Sequence, residues 1–207
     1  MKACSEGANA LKFEIEIKLR LPAKLAKIRR KLRAAGFRIA KRRMLESNVL
    51  FDDSKRSLRK HGKLIRVRYV GGDSVLTFKG PSERSRYKKR PEIDISLPRA
   101  SGLDEILKEI GLRPVFRYEK FRTEFAKPRG TGKVMLDETP IGNFVEIEGS
   151  PSWIERTARL LGFSRADHIT RSYGYLYSAH CRERRIPAKD MLFTDKRLNK
   201  PPRKSRQ

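Results

Sequence analysis

Residues 13–20 read FEIEIKLR, and this alternation of apolar and charged residues predicts a β-strand. Successive side chains of a strand point to opposite faces, so Glu14, Glu16 and Lys18 share one face and the apolar residues share the other. A polar face that simply lies in solvent would produce the same pattern. The environment of these charges therefore depends on whether other strands supply partners for them.

The composition favours a single domain with a polyanionic partner. The chain has 207 residues and carries 50 Lys and Arg against 24 Asp and Glu, a net charge of +26. A field of this sign attracts phosphates, nucleotides, nucleic acid or an anionic membrane surface. Cys4 and Cys181 lie far apart and the three histidines are scattered, which disfavours a disulfide framework and a zinc site.

The segments divide into a short N-terminus, one domain and a tail. We expect residues 1–10 to be flexible, residues 11–180 to form the domain, and residues 181–207 to form a basic extension with ten Lys or Arg against three acids. Such a tail could contact polyanions weakly or only aid solubility. No apolar run reaches the length of a membrane span, and the N-terminus lacks the apolar middle of a signal peptide. We therefore expect a cytoplasmic protein.

The spacing of the apolar residues switches several times along the domain between the helical period and strand-like alternation. Helical spacing predicts helices near residues 22–36, 102–112, 150–163 and 167–180, the third with Ser152 and Glu155 as a capping box. The segments between them alternate like strands, and one pair forms a predicted hairpin turning at Gly71–Gly72–Asp73. Many strands, short turns and a few helices predict an α+β fold built on a largely antiparallel sheet or barrel.

Charged side chains recur on one face of strand after strand. They are Glu14, Glu16, Lys18, Arg20, Arg66, Arg68, Lys79, Arg90, Glu92, Asp94, Lys120, Arg122, Glu124, Asp137, Glu146 and Glu148. If the sheet closes with its apolar face outward beneath the helices, these charges line an interior that needs ligands to balance it. Carboxylates suit Mg²⁺ or Mn²⁺, and Lys and Arg suit phosphate oxygens. A site for a metal-bound triphosphate requires both carboxylates and basic side chains.

The order of these motifs resembles that of the CYTH superfamily, the triphosphate tunnel metalloenzymes. The matching motifs are Glu14-x-Glu16-x-Lys18, Arg66-x-Arg68, Thr77-x-Lys79, Arg90-x-Glu92, Lys120-x-Arg122, Asp137 and Glu146-x-Glu148. The resemblance covers residues 11 to 180. It is nearest to a bacterial branch that is grouped with class IV adenylate cyclases. Thiamine triphosphatases belong to the same superfamily. It implies a closed, eight-stranded antiparallel barrel that forms a tunnel, with flanking helices.

The resemblance also implies roles for individual residues. One metal ion would be held by Glu14, Glu16 and Glu146, and a second, which activates the nucleophile, by Asp137 and Glu148 with Glu92 as an additional ligand. The phosphate-binding set would be Lys18, Arg66, Arg68, Lys79, Arg90, Lys120 and Arg122. The catalytic residues would be Glu14, Glu16, Lys18, Asp137 and Glu148. The chain departs from the family pattern at Asn48, where Asp is frequent, and at Asp94, where Glu is common, and Arg20 has no implied role.

The function that this resemblance implies is a divalent-metal-dependent triphosphatase that acts on tripolyphosphate, thiamine triphosphate or a nucleoside triphosphate. One alternative is a class IV adenylate cyclase, which converts ATP to cyclic AMP and pyrophosphate in the same site. Another is a non-catalytic module that binds polyphosphate or RNA. The family also includes homodimers, although no residue of this sequence identifies an interface.

Overall fold

A computed structural model describes residues 12–21, 25–83, 85–97 and 102–195. The strands are β1 Lys12–Arg20, β2 Arg38–Asp52, β3 Leu64–Val70, β4 Asp73–Lys79, β5 Lys88–Leu97, β6 Arg113–Ala126, β7 Lys133–Thr139 and β8 Gly142–Glu148. The helices are α1 Leu25–Ala34, α2 Ser57–Lys60, α3 Leu103–Glu109, α4 Pro151–Leu161 and α5 Tyr173–Glu183, with a 3-10 turn at Arg165–Asp167. The predicted α+β class is confirmed.

The eight strands form a closed antiparallel barrel in the order β1-β5-β4-β3-β2-β6-β7-β8. The barrel closes where β8 pairs with β1, with Glu148 opposite Glu16 and Glu146 opposite Lys18. The longest strands, β2 and β6, pair over most of their length, with bulges between Ile39 and Met44. Bulges increase the twist and bend of a strand, which helps a sheet of this size to close.

The hairpin between β3 and β4 turns at the predicted position. Gly71 and Gly72 have φ angles of 60° and 89°, and Val70 pairs with Asp73 across them. Two consecutive positive φ angles define a type I′ turn, which glycine adopts without steric cost and whose twist matches that of the strands. The turn therefore fixes the register that places Arg66 opposite Thr77.

The helices pack on the barrel in three apolar clusters, of which the first and third lie on its outer face. The first joins β1 and the β6–β8 side to α1 and α4, through residues such as Ile17, Leu32 and Ile154. The second lies with α5 and includes Tyr177 together with Tyr118, which also lines the cavity. The third lies with α3 and includes Leu107. This arrangement leaves the charged face of each strand directed into the barrel.

The N-terminus of α4 differs from the prediction. Its N-cap is Ser150, with Pro151 in the first turn, and Ser152 and Glu155 do not form a capping box. The Glu155 carboxylate instead accepts hydrogen bonds from the Tyr87 hydroxyl at 2.8 Å and from the Arg165 guanidinium at 3.0 Å. These long-range partners fix α4 against the β4–β5 connection and the 3-10 turn.

The segment that follows α5 packs on the barrel, within the residues predicted to form the basic extension. Helix α5 continues to Glu183, and Met191 is fully buried. The Met191 amide donates to the Arg117 carbonyl at 2.9 Å, and the Glu119 amide donates to the Met191 carbonyl at 2.9 Å. The predicted flexible N-terminus and the tail beyond residue 195 lie outside the described residues. Within the described part of the chain, no helix is long and apolar enough to span a bilayer.

The Gly132→Ala substitution is expected to destabilise the fold. A Cβ atom at Gly132 would lie 2.5 Å from Cδ2 of the Trp153 indole, which packs edge-on against Phe37 with ring centroids 6.2 Å apart. Moving that ring is expected to lower the free energy of unfolding by about 1–3 kcal/mol, measured by urea denaturation. The control is Gly174→Ala, whose Cβ atom would make an ordinary contact of 3.6 Å with Phe116. Equal stability of both variants would contradict this packing.

Candidate active site

The barrel encloses a cavity of about 420 Å³, and most of the residues that line it are charged. Eleven basic and seven acidic side chains line it, so the wall has a net positive charge. Every predicted metal or phosphate residue except Asp137 lies on this wall. These residues are Glu14, Glu16, Lys18, Arg66, Arg68, Lys79, Arg90, Glu92, Lys120, Arg122, Glu146 and Glu148. The period-2 alternation of each strand brings them together.

Lys18 lies at the centre of a buried group of charges on β1 and β8. Its Nζ atom is 3.0 Å from Glu16 Oε1 and 3.0 Å from Glu146 Oε1. Although burial favours the neutral acids, Lys18 holds the pKa of both carboxyls below their usual range, with Lys88 contributing at Glu16 and Arg122 at Glu146. Both carboxylates are therefore ionised, and each shares its charge with cations of the wall.

A second group of carboxylates has fewer cations around it. Lys79 Nζ lies 2.5 Å from Glu14 and 2.9 Å from Glu92. Burial raises the pKa of the Glu92 carboxyl to about 7, and the adjacent Glu14 adds to the rise while Lys79 opposes it. Burial and Glu14 also raise the pKa of Glu148. The charges of Glu92 and Glu148 therefore lack full compensation in the protein alone.

Asp137 lies behind the cavity wall and has no exposed surface. Its carboxylate accepts hydrogen bonds from Lys120 Nζ at 2.9 Å, from the Tyr173 hydroxyl at 2.7 Å, and from Arg122 Nε and Nη2 at 2.7 and 2.6 Å. The forked contact orients the guanidinium, and Lys120 and Tyr173 both donate to Oδ2, the oxygen that also accepts from Arg122 Nη2. This geometry positions the two cations of β6, and the role of Asp137 as a metal ligand stays a prediction.

Three cavity arginines have unused hydrogen-bonding capacity. Arg66 donates to Thr77 Oγ1 at 3.0 Å, Arg68 to Glu46 Oε1 at 3.3 Å, and Arg90 to the Gly62 carbonyl at 3.2 Å. The Nε atom of each is buried and has no hydrogen-bond partner among the described residues. Buried donors normally have partners, so these atoms indicate where an anionic ligand would bind.

Sequence reasoning missed several residues of this network. Lys88 faces the cavity two residues before Arg90, and its Nζ atom lies 2.5 Å from Glu16. Glu46 is buried within 3.6 Å of Lys120, and Lys120, Arg122 and Arg68 lower its pKa to about 2 against the effect of burial. Counting back two residues along each strand would have identified Lys88 from Arg90 and Glu46 from Asn48.

The residues that depart from the family pattern also have defined positions. Asn48 is fully buried and donates to the Glu46 carbonyl at 3.4 Å. Asp94 lines the cavity and accepts from Thr77 Oγ1 at 2.5 Å. Arg20 lies outside the cavity, where its guanidinium donates to the Ile141 carbonyl at 3.2 Å and stacks over Phe144. Arg20 therefore has a structural role at the β1–β8 seam.

Within the described residues, no three His, Cys, Asp or Glu side chains converge as a ready metal site. The reason is local, because lysine and arginine nitrogens occupy the oxygens of Glu14, Glu16, Glu92 and Glu146. The chemistry of the donors nevertheless fits a hard divalent cation, since several carboxylates face one cavity and those at its less compensated side have raised pKa values.

The Asp137→Asn substitution is expected to lower the free energy of unfolding by about 3 kcal/mol, because it leaves Lys120 and Arg122 buried with less opposing charge. Urea denaturation followed by Trp153 fluorescence measures the change. The control is Glu138→Gln on the opposite face of β7, where the partner Arg43 is exposed, with an expected effect within about 1 kcal/mol. Equal small effects would show that stability does not depend on the buried network.

Comparisons with known proteins agree with the barrel fold. The model of the CYTH domain family matches residues 12–173. A Methanocaldococcus jannaschii protein that is provisionally named an adenylate cyclase is 28% identical over 149 residues, which cover 72% of this chain and 83% of that protein.

Two solved structures illustrate the shared fold. A Pyrococcus horikoshii OT3 protein superposes with a TM-score of 0.64 at 26% identity, over 80% of this chain and 98% of that one. A provisionally named adenylyl cyclase from Hippeastrum, whose description reports a dominant triphosphatase activity, superposes with a TM-score of 0.58 at 17% identity, over 80% and 95%. The family match spans most of the chain and all eight strands of the barrel, and the chain therefore belongs to the CYTH domain family.

Proposed function

We propose that this protein is a divalent-metal-dependent triphosphatase that binds a triphosphate inside the barrel and cleaves a phosphoanhydride bond. One observation carries the proposal: seven carboxylates face a cavity that has an excess of cations, and two of them, Glu92 and Glu148, lack full charge compensation. A site that bound only polyanions would gain nothing from carboxylates facing the ligand, because they would repel it.

The basic residues of the wall would bind the phosphate oxygens. Arg66, Arg68 and Arg90 supply donors with unused capacity, and arginine presents them in a fork that matches phosphate. Lys120 and Arg122 approach from β6, where Asp137 holds them in place. Lys18 and Lys79 would contribute further positive charge, and a bound phosphate would share them with Glu16 and Glu14. Positioning and charge neutralisation are the main sources of catalysis in phosphoryl transfer.

The carboxylates would hold Mg²⁺ or Mn²⁺. Glu14, Glu92 and Glu148 are the best-placed ligands, with Glu16 and Glu146 adjacent to them on the same two strands. A bound divalent ion supplies charge neutralisation on the phosphate oxygens and an activated water. Asp137 would act by positioning Lys120 and Arg122 rather than by binding the ion.

The cyclase remains a second candidate, supported by the provisional name of the Methanocaldococcus jannaschii relative. The Hippeastrum protein, also provisionally named a cyclase, is described with a dominant triphosphatase activity and shares the fold. The experiment is incubation of the purified protein with tripolyphosphate, thiamine triphosphate or ATP and either metal. Release of orthophosphate supports the triphosphatase, whereas cyclic AMP with pyrophosphate supports the cyclase. Binding with no product would contradict both enzymes and favour a binding module.

The Arg66→Met substitution is expected to lower kcat/KM for the triphosphate by about 100-fold, because it removes a forked donor from the transferring group. Steady-state phosphate release measures the effect. The control is Arg42→Met, which removes the same charge from an exposed position of β2 and should stay within about twofold. Equal losses in both variants would indicate a general effect of net charge rather than a contact in the cavity.

The Glu148→Gln substitution is expected to raise the metal concentration for half-maximal activity by about tenfold or more, since it removes one ligand charge. A Mg²⁺ titration of turnover tests this, with Glu105→Gln on the exposed face of α3 as the control. Excess chelator should abolish turnover in the unmodified protein, and added Mn²⁺ or Mg²⁺ should restore it. Activity that persists with the chelator would contradict metal dependence.

A further inference from the structure

Helix α1 and the first half of β2 carry many positive charges and no negative ones. Residues 25–43 contain nine Lys or Arg and no Asp or Glu. The cavity wall, with eleven basic and seven acidic side chains, accounts for only +4 of the net charge of +26 that the chain carries. Most of the positive charge therefore lies outside the site that the proposed function uses.

The charges of α1 oppose the stability of this helix. Lys27 lies in the first turn, where the partial positive charge of a helix N-terminus favours acidic residues. Lys27 and Lys31, and likewise Arg29 and Arg33, lie four residues apart, a spacing at which like charges repel each other. Folding gains nothing from this set of charges, and a local rule of stability that is broken in this way is typical of a functional site.

The structure places these cations on one outer surface of the protein. We call it the basic face and define it by Lys27, Arg30 and Arg33 at its crest and by Arg29, Lys31 and Arg43 at its flanks. The three crest residues are exposed and form no salt bridge with any described residue. They repeat every three residues, so they lie on the side of α1 opposite to its buried side chains.

The flanking cations hold α1 against the barrel but do not neutralise the basic face. Arg29 of α1 and Arg43 of β2 share one carboxylate, that of Glu138, at 3.6 and 2.9 Å. On the other flank, Lys31 Nζ donates to the backbone carbonyl of Leu161 at 2.6 Å, which is a neutral acceptor. Both flanks therefore keep an excess of positive charge.

The dimensions and composition of the basic face fit the backbone of a double-stranded nucleic acid. The ten residues of α1 span about 15 Å, a length over which one strand of a duplex carries about four phosphates. Phe37 is the only aromatic residue between positions 25 and 45, and it is 3% exposed. This surface therefore offers no ring on which an unpaired base could stack.

A lipid bilayer fits the basic face less well. Helices that bind at a bilayer surface insert an apolar side into it. The large apolar side chains of α1, Leu25, Ile28 and Leu32, pack in the first apolar cluster on the barrel instead. None of them is free to insert, so the ligand of this helix has to be recognised through its charge.

We propose that the basic face binds double-stranded nucleic acid through its phosphate backbone, without reading the base sequence. Its lysine and arginine side chains replace the counterions that are condensed on the duplex, and the arginines present forked donors to phosphate oxygens. A bound duplex also relieves the repulsion among the cations of α1. No residue of the basic face lines the cavity, so this binding is separate from the proposed cleavage of triphosphates.

The test measures binding of a fluorescently labelled duplex DNA of about 20 base pairs by anisotropy at several salt concentrations. The combined substitution Lys27→Gln, Arg30→Gln and Arg33→Gln should raise the dissociation constant about tenfold or more at about 0.1 M salt. It should also lower the slope of log affinity against log salt by about 2.7, because each lost phosphate contact removes about 0.9. Thermal unfolding should show a Tm that is unchanged or higher, since repulsion within α1 is relieved.

The control removes the same charge from α2 and the turn before it, at the opposite end of β2. Its substitutions are Lys55→Gln, Arg59→Gln and Lys60→Gln, all at exposed positions. The dissociation constant for the duplex should stay within about twofold of that of the unmodified protein. Equal losses in the two variants would show that affinity follows net charge alone and would overturn the basic face as the site.

Two further comparisons separate the basic face from the tail and from the cavity. Replacing Lys200, Arg203 and Lys204 by Gln should weaken duplex binding less than the α1 variant does, and a larger loss would overturn the proposal in favour of the tail. Arg66→Met should leave duplex binding within about twofold. The α1 variant should cleave tripolyphosphate at the rate of the unmodified protein, so either proposal can fail while the other stands.

Vesicles of phosphatidylcholine and phosphatidylserine test the alternative polyanion. The unmodified protein should bind the duplex more tightly than these vesicles at the same salt concentration. Binding to the vesicles that depends on the crest residues, without binding to the duplex, would overturn the proposal in favour of a membrane surface. Binding to neither would show that the basic face only aids solubility, and it would overturn the proposal as well.

Discussion

The pairing of charges inside the barrel is the constraint on which the rest of the structure depends. An ionised group removed from water is costly unless an opposite charge or a hydrogen-bond donor compensates it. Asp137 satisfies this condition with Lys120, Arg122 and the Tyr173 hydroxyl, and Lys18 satisfies it with Glu16 and Glu146. Asp137 pairs with cations of the neighbouring strand β6, and Glu146 on β8 pairs with Lys18 on β1. These contacts therefore compensate buried charge and also hold neighbouring strands in register.

The pairing register of neighbouring strands decides which side chains of this barrel lie inside it. A slip of one residue between neighbouring strands would exchange the two faces of a strand, and charged side chains would enter the apolar layer beneath the helices. In the observed register, Glu16 pairs directly with Glu148, so two like charges face each other where β1 meets β8. Closure of the barrel therefore brings together carboxylates that favour a cation between them, and the geometry that closes the fold also prepares the proposed metal site.

The sequence predicted those features that depend on local periodicity. Alternation identified the inward faces of the strands, and two consecutive glycines located the β3–β4 turn. Features that depend on distant neighbours were not predictable in this way. The position of Asp137 behind the wall depends on Tyr173 from α5, and the role of Glu155 depends on Tyr87 and Arg165 rather than on the helix that contains it.

The packing of Met191 against β6 affects where this fold can be divided. Over residues 113–120, β6 pairs with β2 on one side, whereas its pairing with β7 begins only at Phe121. The segment around Met191 occupies that open side through two backbone hydrogen bonds near Tyr118. A fragment cut at residue 173, where the family match ends, would expose a bare strand edge able to pair with another molecule. The smallest unit of this chain that protects its own sheet is therefore longer than the family domain.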